Sequence, residues 1–432
     1  MIVYTVERGD SLYEIAKRLG ADADLIARDN ELREPSELTV GQNLVVRMPQ
    51  RVHRVSEGEN IYSVAQNYGV TVNQLWRENP HLAGGTALAA GDTLVIEEEE
   101  PQYDREIAVN AFVYPSVNKE ILRKTLPYLT YLTVFSYGIE EDGELTEIDD
   151  EELINLAREY GTAPLMMISN LTPEGNYSPE LVGLILSDND IQNILIGGIV
   201  RTVADKRYSG VVLDLEYIPA ELTEAYSDFL SRLNEKLGSG GYPIFVLASP
   251  VCEGEESGML CEGLDYESVG GTADGLMLQT YGWGYAYGEP MAISPADKVG
   301  EALKYAVDKV VPERLFLGMP SYGYNWALPY ESGVSRATPI ANADAPDLAA
   351  KKHAAIEYDT ASEAPFFKYY DMQSDTPREH EVWFGDARSA QTMLESVNKF
   401  GLGGVSVWNA MRYFPQLWQL INRAYKIKKV LR

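Results

Sequence analysis

The sequence predicts an α/β protein built on a (β/α)₈ TIM barrel, preceded by two small βααβ units and interrupted by a small α+β insertion. Eight apolar strand-like runs alternate with helical patterns between residues 105 and 425, which is typical of this barrel. A segment before the barrel occurs twice, and a stretch from about 327 to 382 is too long and polar for one connection. The alternative is a doubly wound open sheet, but no GxGxxG pattern follows the first strand.

The internal repeat matches residues 3–16 with 52–65, at an offset of 49 from Gly9 to Gly58. The tails match as well, residues 41–46 with 91–96, and Asn30 with Asn79. Each copy has the pattern of a short strand, a glycine turn, two helices, a second glycine turn and a short strand. We therefore expect one small domain at 1–48 and another at 50–97.

A run of glutamates ending in Pro101 follows the second copy and is typical of a solvated linker. We expect a linker over 98–104 that holds the repeats apart from a barrel domain at 105–432. The predicted strands are 107–114, 129–137, 164–170, 210–217, 244–250, 275–283, 315–322 and 404–409, and predicted helices include 151–160, 221–237, 296–310 and 386–400.

Composition excludes several classes of function. A length of 432 residues favours two or three domains, and a net charge of −29 argues against a nucleic-acid partner. No apolar run is long enough to span a membrane, and we see no secretory signal at the N-terminus. Cys252 and Cys261 do not make a disulfide framework. The histidines are scattered along the chain, so we expect no metal site. They are His53, His81, His353 and His380. We also expect no cofactor and a monomeric protein.

The fourth predicted strand carries two carboxylates, Asp214 and Glu216. Side chains two apart on a strand point the same way, so the two acids should lie on one side. Burial of a close pair separates the two pKa values, which suits general acid catalysis at neutral pH. Acids that cap the next helix or pair with an arginine are the structural alternative.

Polar and aromatic residues end other predicted strands as well. Barrel enzymes place their chemistry at the C-terminal ends of the strands, and aromatic rings there can stack on sugar faces. Each of these residues could equally serve packing. The candidate substrate-binding residues are Tyr137, Asn170, Tyr217, Gln279, Tyr281, Trp283, Tyr322, Trp408 and Asn409.

Both repeats resemble the LysM domain, through the Gly-Asp-Ser-Leu turn at residues 9–12, the helix that follows and the Gly-Gln-Asn-Leu exit at 41–44. LysM domains bind chains containing N-acetylglucosamine, so the resemblance implies two glycan-binding grooves; packing against the rest of the chain is the alternative. The turn of the second copy differs, with Glu59 and Asn60 in place of the Asp and Ser of the first copy. The implied contact residues are Gly9, Asp10, Ser11, Leu12 and Asn30, with Gly58, Glu59, Asn60, Ile61 and Asn79.

The barrel resembles glycoside hydrolase family 18. The family signature Asp-Gly-x-Asp-x-Asp-x-Glu appears as Ser209-Gly-Val-Val-Leu-Asp-Leu-Glu216, with Ser209 and Val212 in place of the first two acids. Further family motifs match 279–281, 317–326 and 403–408. Together with the LysM copies and the stretch 380–389, these motifs make the chain similar to the spore cortex-lytic N-acetylglucosaminidases of endospore-forming bacteria.

The resemblance implies a retaining, substrate-assisted glycosidase. Glu216 would be the acid and base, Asp214 would orient the substrate's acetamido group, and Tyr281 would donate to its carbonyl oxygen. Trp408 would form the floor of the cleaved subsite, and Gln279 replaces the usual methionine. The implied substrate is peptidoglycan, with action at the boundary of spore coat and cortex after synthesis in the mother cell. The alternatives are a chitinase or endo-N-acetylglucosaminidase on another polymer, and a non-catalytic glycan-binding coat protein.

Overall fold

The fold is an eight-stranded parallel barrel with an antiparallel insertion sheet and two small N-terminal units. The computed structural model describes residues 1–97, 101–172, 175–251, 263–372 and 377–431. The first barrel strand pairs with both the second and the eighth, which closes the barrel. The predicted fold class is therefore confirmed.

The elements follow the predicted order along the chain. Up to the fourth barrel strand they are β1 (Ile2–Thr5), α1 (Leu12–Leu19), α2 (Ala23–Asp29), β2 (Asn43–Val46), β3 (Arg51–Arg54), α3 (Ile61–Tyr68), α4 (Val72–Glu78), β4 (Thr93–Glu97), β5 (Glu106–Val113), α5 (Lys119–Thr125), β6 (Tyr131–Ile139), β7 (Leu145–Thr146), α6 (Glu151–Glu159), β8 (Ala163–Ser169), α7 (Pro179–Ser187), α8 (Asn189–Asp205) and β9 (Val211–Asp214). After it they are α9 (Thr223–Gly238), β10 (Ile244–Ala248), α10 (Tyr266–Thr272), β11 (Gly275–Leu278), α11 (Ala296–Lys309), β12 (Leu315–Pro320), β13 (Tyr322–Ala327), β14 (Thr338–Ala341), α12 (Ala345–Lys351), β15 (Glu357–Asp359), β16 (Ala364–Asp371), β17 (Arg378–Trp383), α13 (Ala387–Phe400), β18 (Gly404–Trp408), α14 (Pro415–Ala424) and β19 (Lys426–Ile427). Single-turn 3₁₀ helices lie at Pro80–Leu82, Leu126–Tyr128, Ala220–Leu222 and Pro312–Arg314.

The barrel has an apolar interior and a larger apolar shell between strands and helices. Val212 and Met277 are fully buried in the interior, together with Phe112 and Phe245 from neighbouring strands. The strands can be apolar on both faces because the helices cover the outside of the sheet. The barrel strands, in spatial order, are β5, β6, β8, β9, β10, β11, β12 and β18.

The insertion is a five-stranded antiparallel sheet with one helix, α12, packed on it. Its first strand, β13, begins at Tyr322, directly after the seventh barrel strand, β12. The sheet therefore starts before the expected position of about 327, and it ends with β17 at Trp383.

Each repeat unit is a two-stranded antiparallel sheet with two helices. Ser11 caps the first helix of copy one, and Asn60 forms a capping box in copy two. Both helices end at a glycine with positive φ, Gly20 and Gly69, a conformation that favours glycine.

The two repeats pack on each other and on the barrel, so the expected separation by a linker is wrong. Buried Arg47 of copy one pairs with Asp29 at 2.6 Å and with Glu78 of copy two at 3.2 Å. The last barrel helix, α14, joins this cluster through Gln419, whose amide donates to the Asp29 carbonyl at 2.7 Å, and Asn422, which donates to Glu78 at 2.8 Å. A charge run at residues 97–102 predicts local solvation but gives no information about contacts elsewhere. Residues 98–100 of the expected linker lie outside the described residues.

A second contact joins copy one to the insertion and to α13. Arg33 pairs with Asp344 and, at 3.1 Å, with Asp347. The Asn43 amide donates to the buried Asp386 at 2.5 Å, on the cap of α13. Copy one is therefore attached at two faces of the barrel domain.

In the described part of the chain, no helix is both long and apolar enough to cross a membrane. Cys252 and Cys261 lie outside the described residues.

Candidate active site

The two carboxylates predicted from the sequence lie at the C-terminal end of the fourth barrel strand. β9 ends at Asp214, and Glu216 follows in the loop, so the strand is shorter than the predicted 210–217. Asp214 is fully buried, whereas Glu216 is only half-buried. The end of β9 therefore keeps one acid in the protein interior and brings the other to the barrel rim.

Asn170, directly after β8, fixes the backbone on which Glu216 stands. Its side-chain oxygen accepts from the Glu216 N–H at 2.9 Å, and its amide donates to the Glu216 carbonyl at 3.0 Å. The same amide donates to the Ser178 carbonyl at 3.1 Å. Asn170 is predicted to bind substrate, and in the structure its side chain is buried against the Glu216 backbone.

Each carboxyl group has a different hydrogen-bond donor. The Tyr177 hydroxyl donates to Asp214 Oδ2 at 2.5 Å, while Asp214 Oδ1 is buried without a partner in the described part of the chain. Gln279, just after β11, donates to Glu216 Oε1 at 3.1 Å. The structure thus brings Gln279 to the predicted acid pair and adds Tyr177.

Both carboxyl groups hold protons more strongly than free carboxyls. Burial raises the pKa of Asp214 well above its ordinary value, and the negative charge of Glu216 adds to this effect. Burial also raises the pKa of Glu216, although the hydrogen bond donated by Gln279 acts to lower it. Because the two titrations are coupled, the pair keeps a proton to higher pH than separate acids would.

Aromatic rings form the floor beside the carboxyl groups. Trp408, the last residue of β18, is stacked near Tyr281 with ring centroids 6.5 Å apart and planes 20° apart. Phe112, Phe135 and Tyr114 surround the Trp408 ring at 5.2, 5.4 and 6.3 Å. Burial raises the pKa of Tyr281, so its hydroxyl stays a donor at neutral pH.

Grooves open beside this floor in the described part of the chain. One of about 520 Å³ is lined in part by Tyr177 and Tyr217. Another, of about 530 Å³, is lined in part by Tyr114, Phe135 and Glu140. The first groove borders the acid pair, because Tyr177 bonds Asp214 and Tyr217 follows Glu216 in the chain, and the second borders the rings around Trp408. Among the described residues, no three His, Cys, Asp or Glu side chains form a cluster that could hold a metal ion.

Comparisons with known proteins agree with this geometry. The family model "Glycosyl hydrolases family 18" matches residues 109–412. The chain belongs to glycosyl hydrolase family 18. The LysM domain model matches residues 4–47 and 53–97, so this family 18 enzyme carries two LysM domains.

The similar proteins align over almost the whole chain. The cortical fragment-lytic enzyme of Bacillus anthracis is 33% identical over 434 residues, covering 99% of each chain. The enzyme of the same name from Bacillus subtilis is 31% identical over 435 residues, again covering 99% of each. The crystal structure of the spore cortex-lytic enzyme SleL of Bacillus megaterium superposes with a TM-score of 0.83 at 32% identity, covering 99% of this chain and 98% of that one.

The other predicted substrate-binding residues have varied surroundings. Tyr217 has a positive φ of 60°, and its ring lies 6.4 Å from that of Tyr177. Trp283 packs partly buried on the barrel core. Tyr322 opens the insertion, and burial raises its pKa. The Asn409 side chain accepts from the Met411 N–H at 3.2 Å.

The structure does not bring Tyr137 into this group. Its hydroxyl donates to buried Asp150, which also accepts from Tyr208 and pairs with Lys206 at 2.9 Å. Tyr137 and Tyr208 belong to the buried cluster between the barrel strands and the outer helices, and the register of β6 shifts between Val134 and Tyr137. Tyr137 therefore has a partner in the fold that its position at a strand end did not predict.

The two LysM asparagines are also structural. Asn30 donates to the Ile26 and Val45 carbonyls at 2.8 and 2.7 Å, and its oxygen accepts from the Val45 N–H. Asn79 makes the same three bonds in the second domain, with Leu75 and Val95. Both side chains are buried, so these amides hold the second helix to the last strand rather than face an open groove.

The LysM turns themselves are mostly accessible. The turn of the first domain exposes Gly9 and Ser11. The matching turn of the second domain exposes Gly58 and Asn60. Leu12 is half-buried and Ile61 is buried. Side chains of the other two predicted residues are engaged locally: Asp10 accepts from Tyr4 and Arg18, and Glu59 from His53.

Tyr177 and Tyr114 are the residues that sequence reasoning missed. Tyr114 ends a predicted strand, so its position could have suggested the rim. Tyr177 lies in the loop after β8, where no periodic pattern or family motif marks it. Only the folded structure reveals that its hydroxyl donates to Asp214.

Proposed function

We propose that this family 18 enzyme cleaves the β-1,4 bond after N-acetylglucosamine in peptidoglycan of the spore cortex, by retaining, substrate-assisted catalysis. The observation that carries the proposal is the acid pair: half-buried Glu216 at the rim with a raised pKa, beside fully buried Asp214. The names of the full-length relatives, cortical fragment-lytic and spore cortex-lytic enzymes, support the substrate and an action in the spore, at the boundary of coat and cortex.

In the proposed first step, Glu216 gives its proton to the glycosidic oxygen while the carbonyl oxygen of the substrate's own 2-acetamido group attacks C1. The leaving sugar departs as an alcohol, and the attacked sugar becomes an oxazolinium ion. Asp214 accepts the acetamide N–H and stabilises the positive charge. The Tyr281 hydroxyl donates to the acetamide oxygen, and Trp408 forms the apolar floor.

In the second step, the Glu216 carboxylate takes a proton from water, whose oxygen attacks C1 and opens the oxazolinium ring. The configuration at C1 is retained because two inversions occur. The sugar on the non-reducing side must therefore carry a free N-acetyl group. N-Acetylglucosamine does, whereas a muramic lactam has its nitrogen tied into a ring.

The two LysM domains would bind the same glycan. Their exposed turns at Gly9 and Gly58 support this, since an extended polymer can reach them from solvent. Tethering by additional sites raises the effective concentration of the polymer near the barrel.

The test is the Glu216→Gln variant, assayed for release of reducing ends from purified cortex fragments and from chitin oligomers. We expect the rate on cortex fragments to fall on the order of 10²- to 10⁴-fold, because the amide cannot donate or take the proton. Glu301→Gln, at an exposed glutamate of α11, is the matched control and should keep the wild-type rate. Mass spectrometry should find N-acetylglucosamine at the new reducing ends.

Three results would contradict the proposal. Wild-type turnover by Glu216→Gln would exclude the assigned acid. Efficient cleavage of chitin oligomers without cleavage of cortex fragments would identify a chitinase or another endo-N-acetylglucosaminidase. Binding to cortex without release of reducing ends from either substrate would identify a glycan-binding coat protein.

A further inference from the structure

The buried Asp214 depends on a tyrosine outside the family signature. Its Oδ2 accepts from the Tyr177 hydroxyl at 2.5 Å, and Asp214 is 0% exposed. In the described part of the chain, its other oxygen, Oδ1, is buried and has no partner. The tyrosine thus occupies one side of the carboxyl group and leaves the other free.

The nearest acid of the family signature is absent from this strand. The signature places an acid two residues before Asp214, but here that residue is Val212, which is fully buried among apolar side chains of the barrel interior. Ser209 stands at the other altered position, before the strand begins. The strand itself therefore supplies no acidic partner to Asp214.

Tyr177 is held in place by backbone contacts of its loop. Leu171 and Tyr177 form an isolated antiparallel bridge, and the Ser178 N–H donates to the Asn170 carbonyl at 3.0 Å. The Asn170 amide reaches the Ser178 carbonyl as well as Glu216. One loop therefore connects Tyr177 to the backbone that carries the acid.

We propose that Tyr177 is a positioning residue of the reaction, which holds Asp214 in the orientation that receives the substrate's acetamide and replaces the acid missing at position 212. The inference rests on the proposed function, because that function assigns Asp214 the role of orienting the substrate's acetamide. A phenol O–H that donates to Oδ2 fixes the carboxyl rotamer and directs the unpartnered Oδ1 to the acetamide N–H.

The same hydrogen bond also affects which acid carries the shared proton. A donor to a carboxylate favours its ionised form, so Tyr177 opposes the burial and the Glu216 charge that raise the pKa of Asp214. The first step needs Asp214 ionised and the shared proton on Glu216, and the donor from Tyr177 favours that distribution. No covalent step involves Tyr177.

The test is Tyr177→Phe, compared with wild type in kcat, KM and the pH dependence of kcat on cortex fragments. We expect kcat to fall on the order of 10- to 100-fold with little change in KM, as for loss of a hydrogen bond to a charged group. Without the donor the pKa of Asp214 rises further. Activity that needs ionised Asp214 is then lost at higher pH, so the acid limb of the profile moves upward.

Tyr208→Phe is the matched control, since its hydroxyl also donates to a buried carboxylate, Asp150, away from the acid pair. It should lower the thermal midpoint and leave kcat and both pH limbs unchanged. If the acid limb of the pH profile of Tyr177→Phe does not shift, the inference is overturned. This holds even if the variant loses activity because less of it is folded. Failure of the proposed function is distinguishable, because it would show as wild-type turnover by Glu216→Gln.

Discussion

Replacement of Asn170 by alanine tests whether the loop after β8 positions Glu216, the proposed acid and base. The change removes two hydrogen bonds to Glu216 and one to the Ser178 carbonyl. At about 0.5–1.5 kcal/mol for each neutral hydrogen bond, we expect the free energy of unfolding to fall by roughly 2–4 kcal/mol. The Glu216 backbone then loses the amide that bonds both its N–H and its carbonyl, and a displacement of about 1 Å costs on the order of 10²-fold in rate.

The assay measures kcat on cortex fragments under conditions where urea unfolding shows the variant to be fully folded. Asn170→Asp keeps the acceptor for the Glu216 N–H but loses the donors, so its rate should lie between those of Asn170→Ala and wild type. Thr162→Val is the control for stability, because its hydroxyl bonds the Leu126 and Leu129 carbonyls, before the start of β8 and away from the rim. A folded Asn170→Ala protein with wild-type kcat would refute this reasoning.

Two further predictions concern the contacts that join the domains. Arg47→Met leaves Asp29 and Glu78 buried without the arginine, so the free energy of unfolding measured in urea should fall by about 3–5 kcal/mol. The control Arg51→Met removes an exposed pair with Glu97 and should change it by less than about 1 kcal/mol. Equal losses in the two variants would contradict the role of the buried cluster. Burial lowers the pKa of Lys429 to about 7, whereas a lysine in the unfolded chain has a pKa of about 10.4, so the unfolded chain binds more protons between these pH values. The free energy of unfolding of wild type should therefore rise relative to that of Lys429→Met as pH increases from about 7 to 10. A difference between the two proteins that stays constant with pH would contradict the shifted pKa.

The fold could be predicted from the sequence because its signals are local and periodic. Eight apolar runs of strand length alternate with amphipathic helices, and the right-handed connection of parallel strands leaves few other arrangements. The helix predicted over 386–400 is observed at Ala387–Phe400 with Asp386 as its cap. The repeats were detectable for the same reason, since each copy carries its own turns and caps.

The site was predictable only where chemistry and strand position coincide. Asp214 and Glu216 stand out as charges in an apolar run, and Trp408 ends a strand. Tyr137 ends a predicted strand too, but its partner Asp150 lies in the next connection, which strand position alone cannot reveal. Contacts between residues far apart in the chain, such as Arg33 with Asp344, leave no periodic signal in either segment.

The strand that carries the acids does not hold them in place by itself. β9 ends at Asp214, and its interior neighbour Val212 is apolar, so neither carboxyl group finds a polar partner along the strand. The donors to the carboxyl groups are Tyr177, in the loop after β8, and Gln279, after β11, while Asn170 bonds the Glu216 backbone. A side chain on a loop has many orientations unless other bonds restrict it, and here the Leu171–Tyr177 bridge and the bond from the Ser178 N–H to the Asn170 carbonyl restrict the backbone beside Tyr177. Both acids therefore have hydrogen-bond partners outside their own strand, although the signature acids are absent at 209 and 212.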